Sequence, residues 1–385
     1  MKIAFLTEKY TPDIGGLAIS SERLVSLLAS AGNELRVFAP TVNLSASETR
    51  TLISGAISVT RFGARKRVDD TLVDWFELLV EEHKREPFDV IHAYFLPQAG
   101  FIAAYAGKYM NIHSVVSARG NDLERTVFDP PRAAHILYAL QHASAVTTNA
   151  SELADKARAL VPGLEVTVIP NGIDADRFKP LPRNTALAES LNLLNAGQAG
   201  RSSYVIGFAG ELRDKKGLRS LLDAYAQISK RKPAILLIVG EIRAGEDKQI
   251  VEDFRLSHPN AKIIVTGFVP SRDLPAYYAL MDVFVHPSLR DGLPNALLEA
   301  MACEKAVIGT PVGGIKDAIL DCKNGRLVPT NNANKLAETI DELLADEDLR
   351  KQLGSAARQT IKERFTLRIE RDGNLAVYQR LGPKA

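Results

Sequence analysis

The sequence predicts an α/β protein built as two successive doubly wound parallel sheets. Three observations carry that expectation. Short apolar runs alternate with amphipathic, helix-patterned stretches along the chain, the pattern of βα units feeding a parallel sheet. A polar, small-residue stretch, Pro182–Ser203, interrupts the alternation near the middle, and a second series starts after it. The length, 385 residues, is more than one core ordinarily serves and suits two domains.

In the first half, the strand-like runs are Ile3–Leu6, Leu35–Phe38, Ile57–Thr60, Val90–Ile91, Ser114–Val116, Ala145–Thr147 and Val166–Ile169. Helical patterns separate most of them; in Ala18–Ser30, Leu24, Leu27 and Leu28 share one face. The first run leads through Tyr10-Thr11-Pro12-Asp13 to the pair Gly15-Gly16 and then a helix. Paired glycines at a strand-to-helix crossing either let a ligand approach the backbone or simply make a tight turn. They are not the G-x-G-x-x-G dinucleotide fingerprint. Arg61, Arg65, Lys66 and Arg67 cluster in a predicted loop, as a solvated run or as a seat for an acidic acceptor or an anionic membrane surface. Arg119-Gly120-Asn121-Asp122 follows the fifth run, at a carboxyl strand end, as site residues or as an Asx-type turn. Asn149 and Glu152 have the spacing of a helix-capping box. His92, His113, His135 and His142 show no metal-ligand spacing and are expected to be structural.

Turn chemistry at Pro170-Asn171-Gly172-Ile173-Asp174, followed by Phe178, leads into the linker. The expected domains are 1–180 and 181–365, with a final helix over about 366–385 packing back on the first domain. The second series of runs is Val205–Ala209, Ile235–Val239, Ile263–Thr266, Val283–His286, Ala306–Ile308 and Arg326–Val328. Its first run enters Gly210-Glu211-Leu212-Arg213-Asp214-Lys215-Lys216-Gly217 just before a helix. Basic side chains at a helix start can hold a diphosphate, Arg as a fork and Lys as a point charge; the bland alternative is a solvated charge run.

The stretch Ser288–Gly314 holds the densest pattern. A buried strand leads to a Gly-Pro-Asn loop and a helix starting near Pro294 or Asn295, residues suited to a first turn and a cap. That helix is expected to end near Cys303, before the next strand and Thr310-Pro311-Val312-Gly313-Gly314. Two carboxylates frame the helix: Asp291 before it and Glu299 about one turn in. A helix N-terminus favours an anion, and flanking carboxylates can hold sugar hydroxyls. An ordinary βαβ unit with a capped helix is the structural alternative.

Composition narrows the classes. A net charge of +2 gives no case for bulk nucleic-acid binding. The two cysteines, Cys303 and Cys322, make neither a disulfide framework nor a zinc spacing and are expected to be reduced thiols. No apolar run is long enough to span a bilayer, and no leader is expected ahead of the strand at Lys2–Leu6. A cytoplasmic protein is expected, with peripheral membrane contact at the basic Arg61–Arg67 segment as an option. Nothing bears on oligomeric state.

Taken together, the chain resembles the retaining nucleotide-sugar glycosyltransferases of family 4, which have the GT-B fold. The resemblance covers nearly the whole length. It rests on the Gly15-Gly16 loop, Pro170–Asp174 with Phe178, G-x-L-x-x-x-K-G at Gly210–Gly217, Pro287-Ser288, and the acids Asp291 and Glu299 with seven residues between them inside DGLPNALLEAMA. The resemblance implies two Rossmann-like domains facing across a cleft, the second holding the nucleotide sugar and the first supplying the acceptor side. It implies that Glu299 takes ribose hydroxyls, and that Asp291 with the backbone of Gly292, Leu293, Pro294 and Asn295 takes sugar hydroxyls. Arg213 and Lys216 would neutralise the diphosphate, with Gly15 and Gly16 offering backbone N–H to it. Glu241 and Val269 would lie near the base, and Arg119, Asn121 and Asp122 on the acceptor or sugar side. The chain departs from the family pattern in three places. Glu211 stands where Arg is usual, and Arg213 is expected to supply the missing cation. Asp291 stands where Glu is commoner, one methylene shorter. Arg119 stands where many relatives have a His nearby.

The implied reaction moves a sugar from a nucleoside-diphosphate sugar, a UDP-sugar favoured, to a hydroxyl acceptor: a glycan, a lipid-linked sugar or a small metabolite. Retention would follow front-face attack, with domain closure about Asn171-Gly172. No cofactor and no metal are expected, because fixed cations can take the place of Mg²⁺. Two alternatives stand beside this: a degenerate relative that binds or senses a nucleotide sugar without transfer, and a sugar-nucleotide epimerase.

Overall fold

The structure, a computed structural model, describes residues 1–13, 15–193 and 203–382. It divides into two compact units, Met1–Gly172 joined by the chain from Leu367 onward, and Ile173–Thr366.

The first unit is an eight-stranded sheet of β1 (Lys2–Thr7), β2 (Glu34–Thr41), β3 (Thr49–Ser54), β4 (Ile57–Gly63), β5 (Val90–Tyr94), β6 (His113–Ala118), β7 (Ala145–Thr148) and β8 (Val166–Val168). Its spatial order is β3-β4-β2-β1-β5-β6-β7-β8. All neighbours are parallel except β3 and β4, which form an antiparallel hairpin at the edge. The period of two sorts the side chains of β1 onto two cores. Ile3 and Phe5 pack with Leu24, Leu28, Val377 and Tyr378; Ala4 and Leu6 pack with Trp75, Leu79, Ile102 and Leu140. Burial on both faces is why the central strands β1, β5 and β6 read as continuous apolar runs. β3 escapes that reading because all six of its residues are exposed.

The final helix, Leu367–Leu381, belongs to this unit. Arg23 holds Glu370 through two hydrogen bonds of 2.8 and 2.9 Å, and the N–H of Gly172 donates to the same carboxylate at 3.0 Å. Deeper in, His92 Nδ1 meets the Tyr378 hydroxyl at 2.5 Å, and its Nε2 meets Ser117 Oγ at 2.7 Å. Burial, with the charge of Arg119, pushes the imidazole down to about 3, so it is neutral.

The capping box expected at Asn149 and Glu152 does not form. The helix Ser151–Leu160 starts after Ala150, so Asn149 does not cap it. Asn149 follows directly on β7 and is buried, which keeps its side chain from reaching over the first turn; its Oδ1 has no partner among the described residues.

The second unit is an all-parallel sheet of β9 (Tyr204–Ala209), β10 (Ala234–Val239), β11 (Lys262–Val265), β12 (Val283–His286), β13 (Ala306–Gly309) and β14 (Arg326–Leu327), in the order β11-β10-β9-β12-β13-β14. Residues 173–180 pack with it. Ile173 and Phe178 are in its core, and Arg358 donates to the carbonyls of Phe178 and Ala175 at 3.0 and 3.1 Å. Within the expected linker Pro182–Ser203, Thr185–Ser190 is a short helix capped by Asn184, while 194–202 lie outside the described residues. Among the described residues no helix is long and apolar enough to cross a membrane.

Candidate active site

Three loops at the carboxyl ends of β9, β12 and β13 are pinned together inside the second unit, where open parallel sheets bind ligands. Two glycines make the close approach. Gly217 has φ +79°, and a Cβ there would lie 2.1 Å from the carbonyl oxygen of Pro287. Gly313 has φ +51°, and its Cβ would lie 1.6 Å from the carbonyl oxygen of Asp291. No side chain fits either position. Hydrogen bonds complete the clasp: Leu289 N–H to Lys215 O at 2.9 Å, Thr310 Oγ1 to Ser288 O at 2.5 Å, and Gly314 N–H to Gly292 O at 2.5 Å.

Asp291 sits where these loops meet. Its Oδ2 accepts from the ammonium of Lys216, from His286 Nε2 at 3.0 Å and from Ser288 Oγ at 3.2 Å. Burial alone would raise this carboxyl, but Lys216 and the His286 hydrogen bond outweigh it and hold the group well below the carboxylate range. Burial, aided by Lys216, pushes His286 below its ordinary value against the pull of Asp291. The ring is therefore neutral, with its proton on the nitrogen facing the acceptor-only carboxylate. Its Nδ1 is buried without a partner among the described residues. Oδ1 of Asp291 has no hydrogen-bond partner among those residues either, and so remains an available acceptor.

Gly292, Leu293 and Pro294 are buried, and the helix Asn295–Ala302 opens directly after Pro294. Glu299 lies on that helix, half-buried. The Tyr278 hydroxyl donates to its Oε2 at 2.8 Å. Burial, then the charge of Glu299, pushes the Tyr278 phenol well above its ordinary value, so it stays a donor.

In the loop after β9, Leu212 is fully buried and pairs with the loop after β10: its N–H donates to Glu241 O at 2.8 Å, and Arg243 N–H donates to Leu212 O at 3.0 Å. Alternation then puts the side chains of Glu211 and Arg213 on the same outer side. They form an ion pair, Arg213 Nη1 to Glu211 Oε2 at 3.2 Å. Glu241 is exposed and lines a cavity of about 450 Å³ with Lys248, Glu252, Arg255 and Gly267. Val269 is half-buried against the core. Both cations expected to face a diphosphate are thus engaged, Lys216 with Asp291 and Arg213 with Glu211.

In the first unit, Gly15 precedes the helix Gly16–Ser30 with φ +131°, and nothing lies within 4 Å of a Cβ at either glycine. Asp122 ties the loop together from inside, although not as an Asx-type turn, since two of its three donors precede it in the chain. It is fully buried and accepts from the N–H groups of Arg119, Gly120 and Leu123. Burial pushes its carboxyl up to about 6 against those donors. Arg119 lies over the Tyr94 ring, 4.1 Å from its centroid, and donates to Asn171 Oδ1, while Asn121 is exposed. The basic cluster is dispersed. Arg61 is inside β4 rather than in a loop, with both carboxylate oxygens of Asp13 at 2.9 Å, and Arg65 pairs with Asp74 at 2.5 Å.

His286, Ser288 and Tyr278 were not among the expected site residues. His286 had a legible signal, a polar residue ending an otherwise apolar strand. Tyr278 had none, because an aromatic residue on a helix before a strand reads as core. Among the described residues, no group of three or more His, Cys, Asp or Glu could hold a metal ion.

Comparisons with known proteins give the family and the fold. Residues 14–177 match the model "Glycosyltransferase Family 4", and residues 195–360 match "Glycosyl transferases group 1". An uncharacterised glycosyltransferase of Methanocaldococcus jannaschii is 27% identical over 383 residues, 95% of each chain. Sucrose-phosphate synthase of Thermosynechococcus elongatus superposes with a TM-score of 0.82 at 22% identity, over 99% of this chain and 98% of that one. Anabaena HepE in complex with UDP-glucose superposes with a TM-score of 0.80 at 20% identity, over 98% of this chain and all (100%) of that one. The two parallel-sheet units are the halves of a GT-B fold. With family models matched in both units and a clasped acid–base site in the second, this chain belongs to the family 4 type of glycosyltransferases.

Proposed function

We propose that the chain transfers a hexosyl group from a nucleoside-diphosphate sugar, a UDP-sugar foremost, to a hydroxyl acceptor with retention at the anomeric carbon. The observation that carries this reading is the convergence of Lys216, His286 and Ser288 on one oxygen of Asp291, which leaves the other oxygen free beside the helix bearing Glu299. Asp291 Oδ1 would accept a sugar hydroxyl, and Glu299, oriented by Tyr278, would take the ribose hydroxyls. Glu241 and its cavity would lie toward the base, with Val269 nearby. UDP-glucose in HepE supports the donor class, since a chain of the same fold holds it.

The chemistry turns on a leaving nucleoside diphosphate that gains negative charge in the transition state. Lys216, held beside the loop that opens the helix Asn295–Ala302, with that helix N-terminus and Arg213 of the same loop as Lys216, would stabilise that charge as preorganised electrostatics once the diphosphate competes with their resident carboxylates. They take the part a divalent cation would otherwise play. Retention through a covalent intermediate needs a carboxylate nucleophile. Asp291 is poorly suited to it: three donors share its Oδ2, and its carboxyl is held far down, which lowers its basicity. Front-face attack, with a donor phosphate oxygen taking the acceptor proton, fits better.

The test is incubation with a panel of UDP-, GDP- and ADP-sugars, following release of nucleoside diphosphate, with Glu299→Ala and Lys216→Ala alongside. Loss of a transition-state donor costs roughly 10²–10³ in rate. A variant at either position that keeps wild-type turnover and donor affinity would refute the site.

A further inference from the structure

The ion pair between Glu211 and Arg213 sits where the transferase reading needs a free cation. Resting on that reading, we propose that Glu211 is a resident counter-ion of Arg213, displaced by the diphosphate when the donor binds and restored when the product leaves.

The local backbone explains why the two residues meet. Leu212 is locked between the loops by two backbone hydrogen bonds, so its neighbours project to the same side and cannot avoid each other. The members are unequal: the Glu211 side chain is 50% exposed and that of Arg213 is 29% exposed. Glu211 is therefore the one that can leave for water at little cost, since exposed pairs are worth little. Arg213 also has capacity in reserve. Its Nε is buried with no hydrogen-bond partner among the described residues, so the ion pair with Glu211 at Nη1 leaves part of the guanidinium fork unused. A diphosphate, with more charge and several oxygens, can use the fork in full.

The counter-ion also discriminates. A nucleoside diphosphate ends in a phosphate whose second ionisation lies near 6, so at neutral pH it carries about one more negative charge than the corresponding nucleotide sugar. An anion held beside Arg213 opposes the product more than the donor. Glu211 thus lowers product retention at a smaller cost in donor affinity. In these terms Glu211, where Arg is usual in the family, is a specificity-determining residue.

The test is calorimetric titration of the full chain with UDP, GDP and ADP, and with UDP-glucose. The proteins are wild type, Glu211→Gln, Arg213→Ala and the double variant. The expected result is that Glu211→Gln binds the nucleoside diphosphate preferred by wild type about three- to tenfold tighter, with a smaller gain for the sugar nucleotide. Both gains shrink at high salt, and both vanish in the Arg213→Ala background, where the partner is gone. Glu211→Gln binding no tighter than wild type overturns the proposal, and so does a gain that survives undiminished without Arg213. A wild-type chain that binds none of the three diphosphates overturns the donor reading and this inference with it.

Discussion

Lys216 and Asp291, 75 residues apart in sequence, form an ion pair in which the side chains are only 17% and 13% exposed. Removing one member of such a shielded pair strands the other's charge, at about 3 kcal/mol. Lys216→Met is expected to lose that much at pH 7, read from urea unfolding. The pH dependence has a definite sign. The carboxyl of folded Asp291 is depressed, so its contribution is fully present above the unfolded value near ~3.9 and is lost as pH falls toward the lower folded value. The gap between wild type and Lys216→Met should hold steady above about pH 5 and narrow in acid. A gap independent of pH would show that the lysine acts through packing alone.

Tyr278→Phe removes one hydroxyl and leaves the ring packed on Phe178 and Phe284. Glu299 Oε2 loses a 2.8 Å donor. A hydrogen bond to a charged group is worth about 1.5–3 kcal/mol, so donor affinity is expected to fall roughly tenfold, with turnover at saturation less affected. Equal donor KM in wild type and variant would mean that Tyr278 does not orient Glu299.

Gly313→Ala places a methyl group 1.6 Å from the Asp291 carbonyl oxygen at a φ of +51°. The loop must shift, and Asp291 with it. Loss of nucleotide binding is expected even where the far-ultraviolet circular dichroism is unchanged, because the sheet itself is untouched. Gly55→Ala, in the β3–β4 turn at φ +60° with nothing within 4 Å, is the control for backbone strain without the clash.

Asp122 is expected to matter for folding. Asp122→Ala leaves three backbone N–H groups without their acceptor, at about 1–3 kcal/mol for the exposed loss of buried partners. Asp122→Asn keeps an oxygen and should cost less. Its folded carboxyl is raised to about 6, so in wild type this group's contribution falls as pH rises from about 4 to 6. Asp122→Asn, which cannot titrate, should lack that slope in its thermal midpoint.

The alternation of apolar runs was enough to read all the parallel strands: the central ones are buried on both faces and have no polar side to confuse the pattern, and the half-exposed edge strands β8, β11 and β14 still carry apolar residues in the same alternation. β3 was invisible for the opposite reason: Thr49–Ser54 has no buried face, and only pairing with β4 makes it a strand. At the site, the acids Asp291 and Glu299 were legible from spacing around a helix start. Their contacts were not, although Lys216 itself was among the expected site residues. Lys216 reaches Asp291 only because Gly217 lets two loops touch, and no local pattern records a contact across 75 residues. Likewise Asn149 and Glu152 have the spacing of a capping box, but burial of Asn149 overrides it.

The last described helix, Leu367–Leu381, is made after the whole second unit yet completes the first. On the ribosome, therefore, the opening sheet must wait: until Tyr378 and Glu370 emerge, His92 lacks its phenol and Arg23 its carboxylate. The half synthesised first should be the half finished last, leaving nascent chains exposed to proteases and chaperones along the surface that this helix later covers.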